Sequence, residues 1–164
     1  MRSTHAALKW IVTLLEERDI PYEIDGGFAA KLYGTERDLA DIDINVYEKD
    51  FNILIPLVKD YLVYGPENYK DNQWEILLMT VEYAGQKIDI GALETIKYFD
   101  SEDNVWVDFP SDLSKCRAMT YEGMVLPVIN EVEFMIYKKK LGRGVDIKDV
   151  YGMEDALLGI DYTT

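Results

Sequence analysis

The sequence predicts an α+β fold, a mixed β-sheet flanked by helices, and three observations carry that expectation. Stretches with apolar residues at three-to-four spacing are interspersed with stretches that repeat every two residues. Ala84-Gly85-Gln86 joins two apolar runs through a turn too short for anything but an antiparallel hairpin. Helical patterns stand before, between and after the strand patterns, so helices flank the sheet.

Residues 4–18 place Ala7, Leu8, Ile11, Leu14 and Leu15 on one helical face, with Ser3 or Thr4 as N-cap and Pro21 past the exit. A short strand over 22–24 then meets Gly26 and Gly27, and 28–33 reads as a helix closed by Gly34. Asp25 reads as the cap of that helix. From 39 to 47 the pattern alternates, with Ile42, Ile44 and Val46 on one face and Asp41, Asp43 and Asn45 on the other. Helical spacing returns over 50–62 behind an Asp50 cap, with Phe51, Leu54, Ile55, Val58 and Leu62 inward. Pro56 must then lie in the first turns or kink the helix. GPENYKDNQ, residues 65–73, reads as a loop.

Strands follow over 74–83 and 87–93, the second carrying Asp89 between isoleucines, and another over 105–109. Next come a loop through Asp112, a small hairpin around Tyr121-Glu122-Gly123 and an extended stretch over 124–129. Two helices, about 131–141 and 146–158, are separated by Gly142 and Gly144.

A chain of 164 residues suits one domain, 1–164, able to bury roughly two thirds of its unfolded surface without disulfide or metal. The 48% hydrophobic and 29% charged shares are those of a globular chain, not a disordered one. No apolar run reaches the roughly eighteen residues of a membrane span, and the amino terminus turns to charge too soon for a secretory signal. A cytoplasmic location is therefore expected. Cys116, the only cysteine, rules out an intramolecular disulfide and a thiolate metal cluster, and reads as a small buried hydrophobe. The net charge of −14 opposes a nucleic acid partner and favours a cationic small molecule, or an anion bridged by metal ions.

Residues two apart on a strand lie roughly 6.6 Å apart and face the same way, so the carboxylates of Asp41 and Asp43 can lean toward one point. A divalent cation removes the repulsion between them, and Mg²⁺ commonly takes one or two carboxylates together with substrate phosphates. Asp89, on a strand that can lie beside the first, permits a second metal about 3.5 to 4 Å away, an arrangement suited to phosphoryl transfer. Gly26 and Gly27 let backbone N–H groups approach phosphate oxygens. They form neither a dinucleotide fingerprint nor a P-loop.

Gly26-Gly27, a short helix, then Arg37 four residues before Asp41 and Asp43 resembles the signature of the nucleotidyltransferase superfamily, the DNA polymerase β-like fold. Asp89 matches that family's third carboxylate. Residues 124–150 also resemble the tail of small bacterial minimal nucleotidyltransferases, and IDGG is similar to the motif of the lincosamide and aminoglycoside nucleotidyltransferases. The resemblance implies that Gly26 and Gly27 contact the phosphates of an NTP, that Asp41 and Asp43 hold two Mg²⁺ ions (or Mn²⁺), and that Asp89 holds one and serves as the base. It also implies that Arg37, Lys139, Lys140 and Arg143 face the nucleotide. The implied activity is transfer of a nucleoside monophosphate from an NTP to an acceptor hydroxyl with release of pyrophosphate, the acceptor being a small cationic molecule such as an antibiotic. The alternative that the minimal members suggest is a non-catalytic or regulatory module acting through a partner protein, as in toxin-antitoxin-like pairs; a homodimer that completes the pocket is left open by the sequence. Phe28 follows the glycines where the family often has serine or tryptophan.

Each residue also has a plainer reading. Asp41 and Asp43 alone suit the solvated face of an edge strand, and only their coincidence with the glycine pair and Asp89 favours a metal. Arg37 serves equally as a structural partner of the acids, and Lys138, Lys139 and Lys140 as a solvated helix face. His5 reads as a surface residue, and Tyr98, Phe99, Trp106 and Phe109 as core or hairpin packing.

Overall fold

Alternation of apolar and polar residues and the turns between them produce a single mixed sheet, seen in a computed structural model that describes residues 1–36, 38–109 and 111–162, with backbone alone for 157–162. The elements are α1 (Thr4–Glu17), β1 (Tyr22–Asp25), α2 (Gly26–Leu32), β2 (Ile42–Val46), α3 (Phe51–Val58), β3 (Leu62–Lys70), β4 (Trp74–Tyr83), β5 (Gln86–Ala92), β6 (Lys97–Asp100), β7 (Val105–Asp108), β8 (Arg117–Tyr121), β9 (Met124–Val128), α4 (Glu131–Leu141) and α5 (Gly144–Tyr162). Among the described residues the strands run β7-β6-β4-β5-β2-β1-β9-β8, and β3, off this path, pairs with β4. The β2–β5 and β1–β9 pairs are parallel, and the remaining pairs are antiparallel.

One face of the sheet is apolar by the period of two: Ile42, Ile44 and Val46 of β2, with Ile88, Ile90 and Ala92 of β5, are all buried. Each large side chain among them contributes about 1.5–3 kcal/mol on leaving water. They share a cluster with Ala7, Leu8, Ile11 and Leu15 of α1, which packs on β4 and β5, and with Phe51, Leu54 and Val58 of α3. The Ser3 hydroxyl caps α1 by accepting from the Ala6 N–H, as its sequence position requires. On the opposite face α4 lays Phe134, Tyr137, Lys138 and Leu141 inward, and its Asn130 cap and left-handed Gly142 define its ends.

Several boundaries differ from the sequence expectation. The segment GPENYKDNQ is not simply a loop: its first six residues belong to β3, which pairs with β4 through two register shifts, the second of which spans Gly65 and Pro66. The helix expected to reach residue 62 ends at Val58, passes through a 3-10 turn, and releases Leu62 into β3, while Pro56 sits inside α3. β6 carries Tyr98 and Phe99 and pairs with both β4 and β7. α2 begins at Gly26 itself, and Asp25, though at its N-cap position, makes no side-chain cap bond. Asp50 likewise offers α3 none. α5 starts at Gly144 rather than 146 and extends to Tyr162. Among the described residues no helix is long and apolar enough to cross a membrane.

Candidate active site

Strand pairing sets a row of polar side chains across the face that α4 covers. Asp25 on β1 stands opposite Asp43 on β2, Asp43 is in register with Asp89 on β5, and Asp89 faces Thr80 on β4. Two residues along, and therefore on the same face, a second row runs Glu23, Asn45, Gly91, Leu78. Asp43 and Asp89 come together from separate strands as the sequence suggested. Asp41 precedes β2 rather than belonging to it, yet its charge still acts on both.

The first glycine of the pair has a specific reason to be glycine. Gly26 has φ +63°, and a Cβ there would lie 2.0 Å from Asp43 Oδ2 and 2.7 Å from its Cγ. The backbone of residue 26 thus sits directly against the Asp43 carboxylate, a packing that no other residue permits. Burial, followed by the charges of Asp89, Asp25 and Asp41, pushes the Asp43 carboxyl well above the usual carboxylate range. Burial also raises Asp89, against the Thr80 hydroxyl that donates to its Oδ1 at 2.6 Å.

Asp25 belongs to a buried network rather than to a helix cap. Its Oδ1 accepts from the Tyr137 hydroxyl at 2.6 Å, and its Oδ2 from Asn45 Nδ2 at 3.1 Å. The same Asn45 amide donates to Glu23 Oε2 at 2.8 Å, and Ser111 Oγ donates to Glu23 Oε1. Burial and the neighbouring Asp25 lift the Glu23 carboxyl to about 8 despite these donors. The network ties β1, β2 and α4 together beneath the acid row, and so fixes the floor on which Asp43 stands.

These side chains open into a cleft of about 360 Å³. Its floor holds Asp25, Gly26, Gly27, Asp43 and Asp89; its apolar side is Trp74, Ile76 and Leu78 of β4 with Tyr69 of β3; its cations are Lys138 and Arg143. Gly91 shapes the apolar side, since a Cβ there would meet Ile76 Cδ1 at 2.4 Å and drive it from the wall. A larger hollow of about 880 Å³, between Gly34, Thr35, Glu36 and Asp38 and α5, shares Val145 with the cleft but holds none of Asp25, Asp43 and Asp89. The smaller cleft is therefore the candidate site.

Lys138 is the lysine of the cleft, and the solvated-face reading of it is corrected here. It is buried with its Nζ 3.0 Å from Asp146 Oδ1 and 3.1 Å from Asp149 Oδ2. Arg143 donates to Asp146 Oδ2 through Nε at 2.6 Å and to Oδ1 through Nη2 at 3.0 Å. Burial resists, but these donors hold the Asp146 carboxyl below the usual range, so both cations are anchored. Lys139 instead pairs with Glu154 at 3.5 Å and Lys140 with Asp100 at 3.5 Å, neither lining the cleft. Arg37 lies outside the described residues. Phe28 fills the core, its ring edge-on to Tyr121 at 5.0 Å, which accounts for an aromatic after the glycines.

Among the described residues no group of three or more His, Cys, Asp or Glu side chains is gathered to hold a metal ion. The donors that are present suit a divalent cation of another kind. Asp43 and Asp89 are hard oxygen ligands in register, and crowding disfavours their joint ionisation, a conflict that a cation held jointly with substrate phosphates relieves.

Two participants were within reach of the sequence. Lys138 follows Phe134 by four and precedes Leu141 by three, placing it on the buried stripe of α4. Asp25 becomes a neighbour of Asp43 once β1 and β2 are paired with Ile24 opposite Ile44. Tyr69 and Gly91 carry no such local signal, because their positions depend on how β3 and β5 meet β4.

No family model matches the sequence, and no curated protein matches it. Solved structures do. A crystal structure from Thermotoga maritima, provisionally named a nucleotidyltransferase, superposes with TM-score 0.69 at 22% identity, over 89% of each chain. The lincosamide antibiotic adenylyltransferase LnuA, with lincomycin bound, gives TM-score 0.62 at 16% identity over 95% of this chain and 99% of its own. ANT(2'')-Ia, in complex with adenylyl-2''-tobramycin, gives 0.54 at 18% identity over 98% of this chain and 92% of its own. At such identities the likeness establishes the fold, which is that of nucleotidyltransferases and agrees with the resemblance read from Gly26, Gly27, Asp41, Asp43 and Asp89.

Proposed function

We propose that the chain transfers a nucleoside monophosphate from an NTP to the hydroxyl of an acceptor, releasing pyrophosphate. The observation that carries this reading is the registered pair Asp43 and Asp89 facing the cations Lys138 and Arg143 across one cleft. A triphosphate laid between them places its negative oxygens near Lys138 and Arg143 and its α-phosphorus above the acids. The acceptor oxygen forms the new bond to that phosphorus as the bond to the bridging oxygen breaks, and pyrophosphate leaves.

Asp89 receives the hydroxyl proton in this scheme. Thr80 holds its Oδ1 and leaves Oδ2 for the acceptor hydroxyl. Asp43 and Asp89, with Asp41 nearby, would hold Mg²⁺ or Mn²⁺, which supplies charge neutralisation at the phosphates. Gly26 fixes Asp43 by direct contact, and Tyr137 and Asn45 fix the floor through Asp25. The net charge of −14 favours a cationic acceptor, and an antibiotic is the acceptor class that the compared structures support.

The test is pyrophosphate release with Mg²⁺, each NTP and a panel of hydroxylated cationic acceptors. Turnover with at least one pair, lost in both Asp43→Asn and Asp89→Asn, is expected. Turnover that persists in those variants, or an absence of NTP binding by the wild type, would overturn the reading.

A further inference from the structure

Tyr69 is the aromatic of the cleft that stands apart from the core. It is 37% exposed, whereas Trp74, from the same wall, sits edge-on to Tyr137 and packs against Tyr98 and Phe109. Among the described residues no other ring pairs with Tyr69. An exposed ring without ring partners usually swings freely, but this one is tethered. Its hydroxyl donates to Asp71 Oδ2 at 2.8 Å, and Asp71 Oδ1 accepts from the backbone N–H groups of Gln73 and Trp74, each at 2.7 Å. The turn is closed by the Asp71 N–H on the Trp74 carbonyl at 2.9 Å. Strand register places Tyr69 beside Ile76, so ring and wall form one surface. Arg143 reaches the same end, close enough for its charge and that of Asp71 to act on each other. A fixed ring with a cation and a carboxylate at its rim is built to receive a flat group with polar edges.

Resting on the transfer reading above, we propose that Tyr69 is the platform on which the nucleobase of the NTP stacks, the phosphates running from it toward Asp43, Asp89 and Lys138. The cleft decides between nucleotide and acceptor. Its apolar wall and charged floor belong to one hollow of about 360 Å³, and the nucleotide is the substrate whose single frame carries both a flat ring and a run of negative charge.

Calorimetric titration with Mn²⁺ present and two probes, inorganic tripolyphosphate and the best-binding member of a set of α,β-methylene nucleoside triphosphates, tests the assignment. Tyr69→Ala is expected to weaken the nucleotide analogue by about five- to 150-fold while leaving tripolyphosphate within about twofold of wild type. Tyr69→Phe, which keeps the ring and loses the tether, is expected to lose less than Tyr69→Ala. Equal weakening of both probes, or of neither, overturns the platform. Nucleotide binding intact in Tyr69→Ala, with a raised KM for the acceptor alone, assigns the ring to the acceptor and also overturns it, while leaving the transfer reading standing. Binding of neither probe by the wild type removes both readings.

Discussion

Gly26→Ala probes the contact that fixes the acid row. The new Cβ would stand 2.0 Å from Asp43 Oδ2, and ordinary contact begins at 3.4 Å, so the carboxylate must retreat by about 1.4 Å (3.4 − 2.0) or the backbone must move. Two costs add. A Cβ in the left-handed region costs about 1–2 kcal/mol, and overpacking a tight site costs about 1–3 kcal/mol more. Removing the Asp43 carboxylate separates them. In an Asp43→Ala background the Oδ2 and Cγ contacts vanish and the Asp43 Cβ becomes the nearest atom, at 3.0 Å, which a shift of a few tenths of an ångström relieves. Gly26→Ala should then cost only the backbone strain, giving a coupling energy on the order of 1–3 kcal/mol between the two positions. Urea denaturation of wild type, both single variants and the double variant, read as midpoint changes at constant slope, completes the cycle. Equal cost of Gly26→Ala in both backgrounds would refute the steric account of this glycine. If the proposed chemistry is also right, a carboxylate displaced by over 1 Å should lower turnover by about a hundredfold.

Three further outcomes follow from the same geometry. Glu23 holds its proton more tightly in the fold, at about 8 against an ordinary 4.5, so the native state binds more protons across that interval and stability falls as pH rises through it, by up to about 1.4 kcal/mol per unit. Glu23→Gln should flatten this decline, and urea midpoints that keep wild-type slope between about pH 5 and about pH 8 would contradict it. Lys138→Met removes the lysine shared by Asp146 and Asp149 and should cost about 3–5 kcal/mol, whereas Lys139→Ala and Lys140→Ala should leave the melting temperature close to that of wild type. Thermal melts that rank the three lysines equally would disprove the distinction. Asp43→Asn removes one charge from a crowded row and should raise the melting temperature, and a clear fall would mean that the carboxylate stabilises the empty fold.

The sequence was most legible where a local period decided the matter. Ile42, Ile44 and Val46 announced both β2 and the face from which Asp43 and Asn45 project, and the position of Asp89 between isoleucines placed it on a matching strand. Legibility failed where tertiary pairing overrode local chemistry. Gly65 and Pro66 look like a loop, yet pairing with β4 holds them within β3 and so delivers Tyr69 to the cleft. Asp25 looks like a cap, yet the nearness of Asn45 and Tyr137 draws its carboxylate away from the helix. Three consecutive lysines read as one surface, although a turn of 100° per residue sends Lys138 inward and the next two outward.

The acids and the cations of the cleft are carried by different kinds of scaffold. Asp25, Asp43 and Asp89 are locked to one another by backbone ladders, so their spacing cannot drift without unzipping strands. Lys138 and Arg143 ride on α4 and at the head of α5, attached to that platform by side-chain packing and by Gly142, a pivot in the left-handed region. Exchanging or tilting the helical arm would therefore move the cations while the spacing of the acids stays as the strands set it.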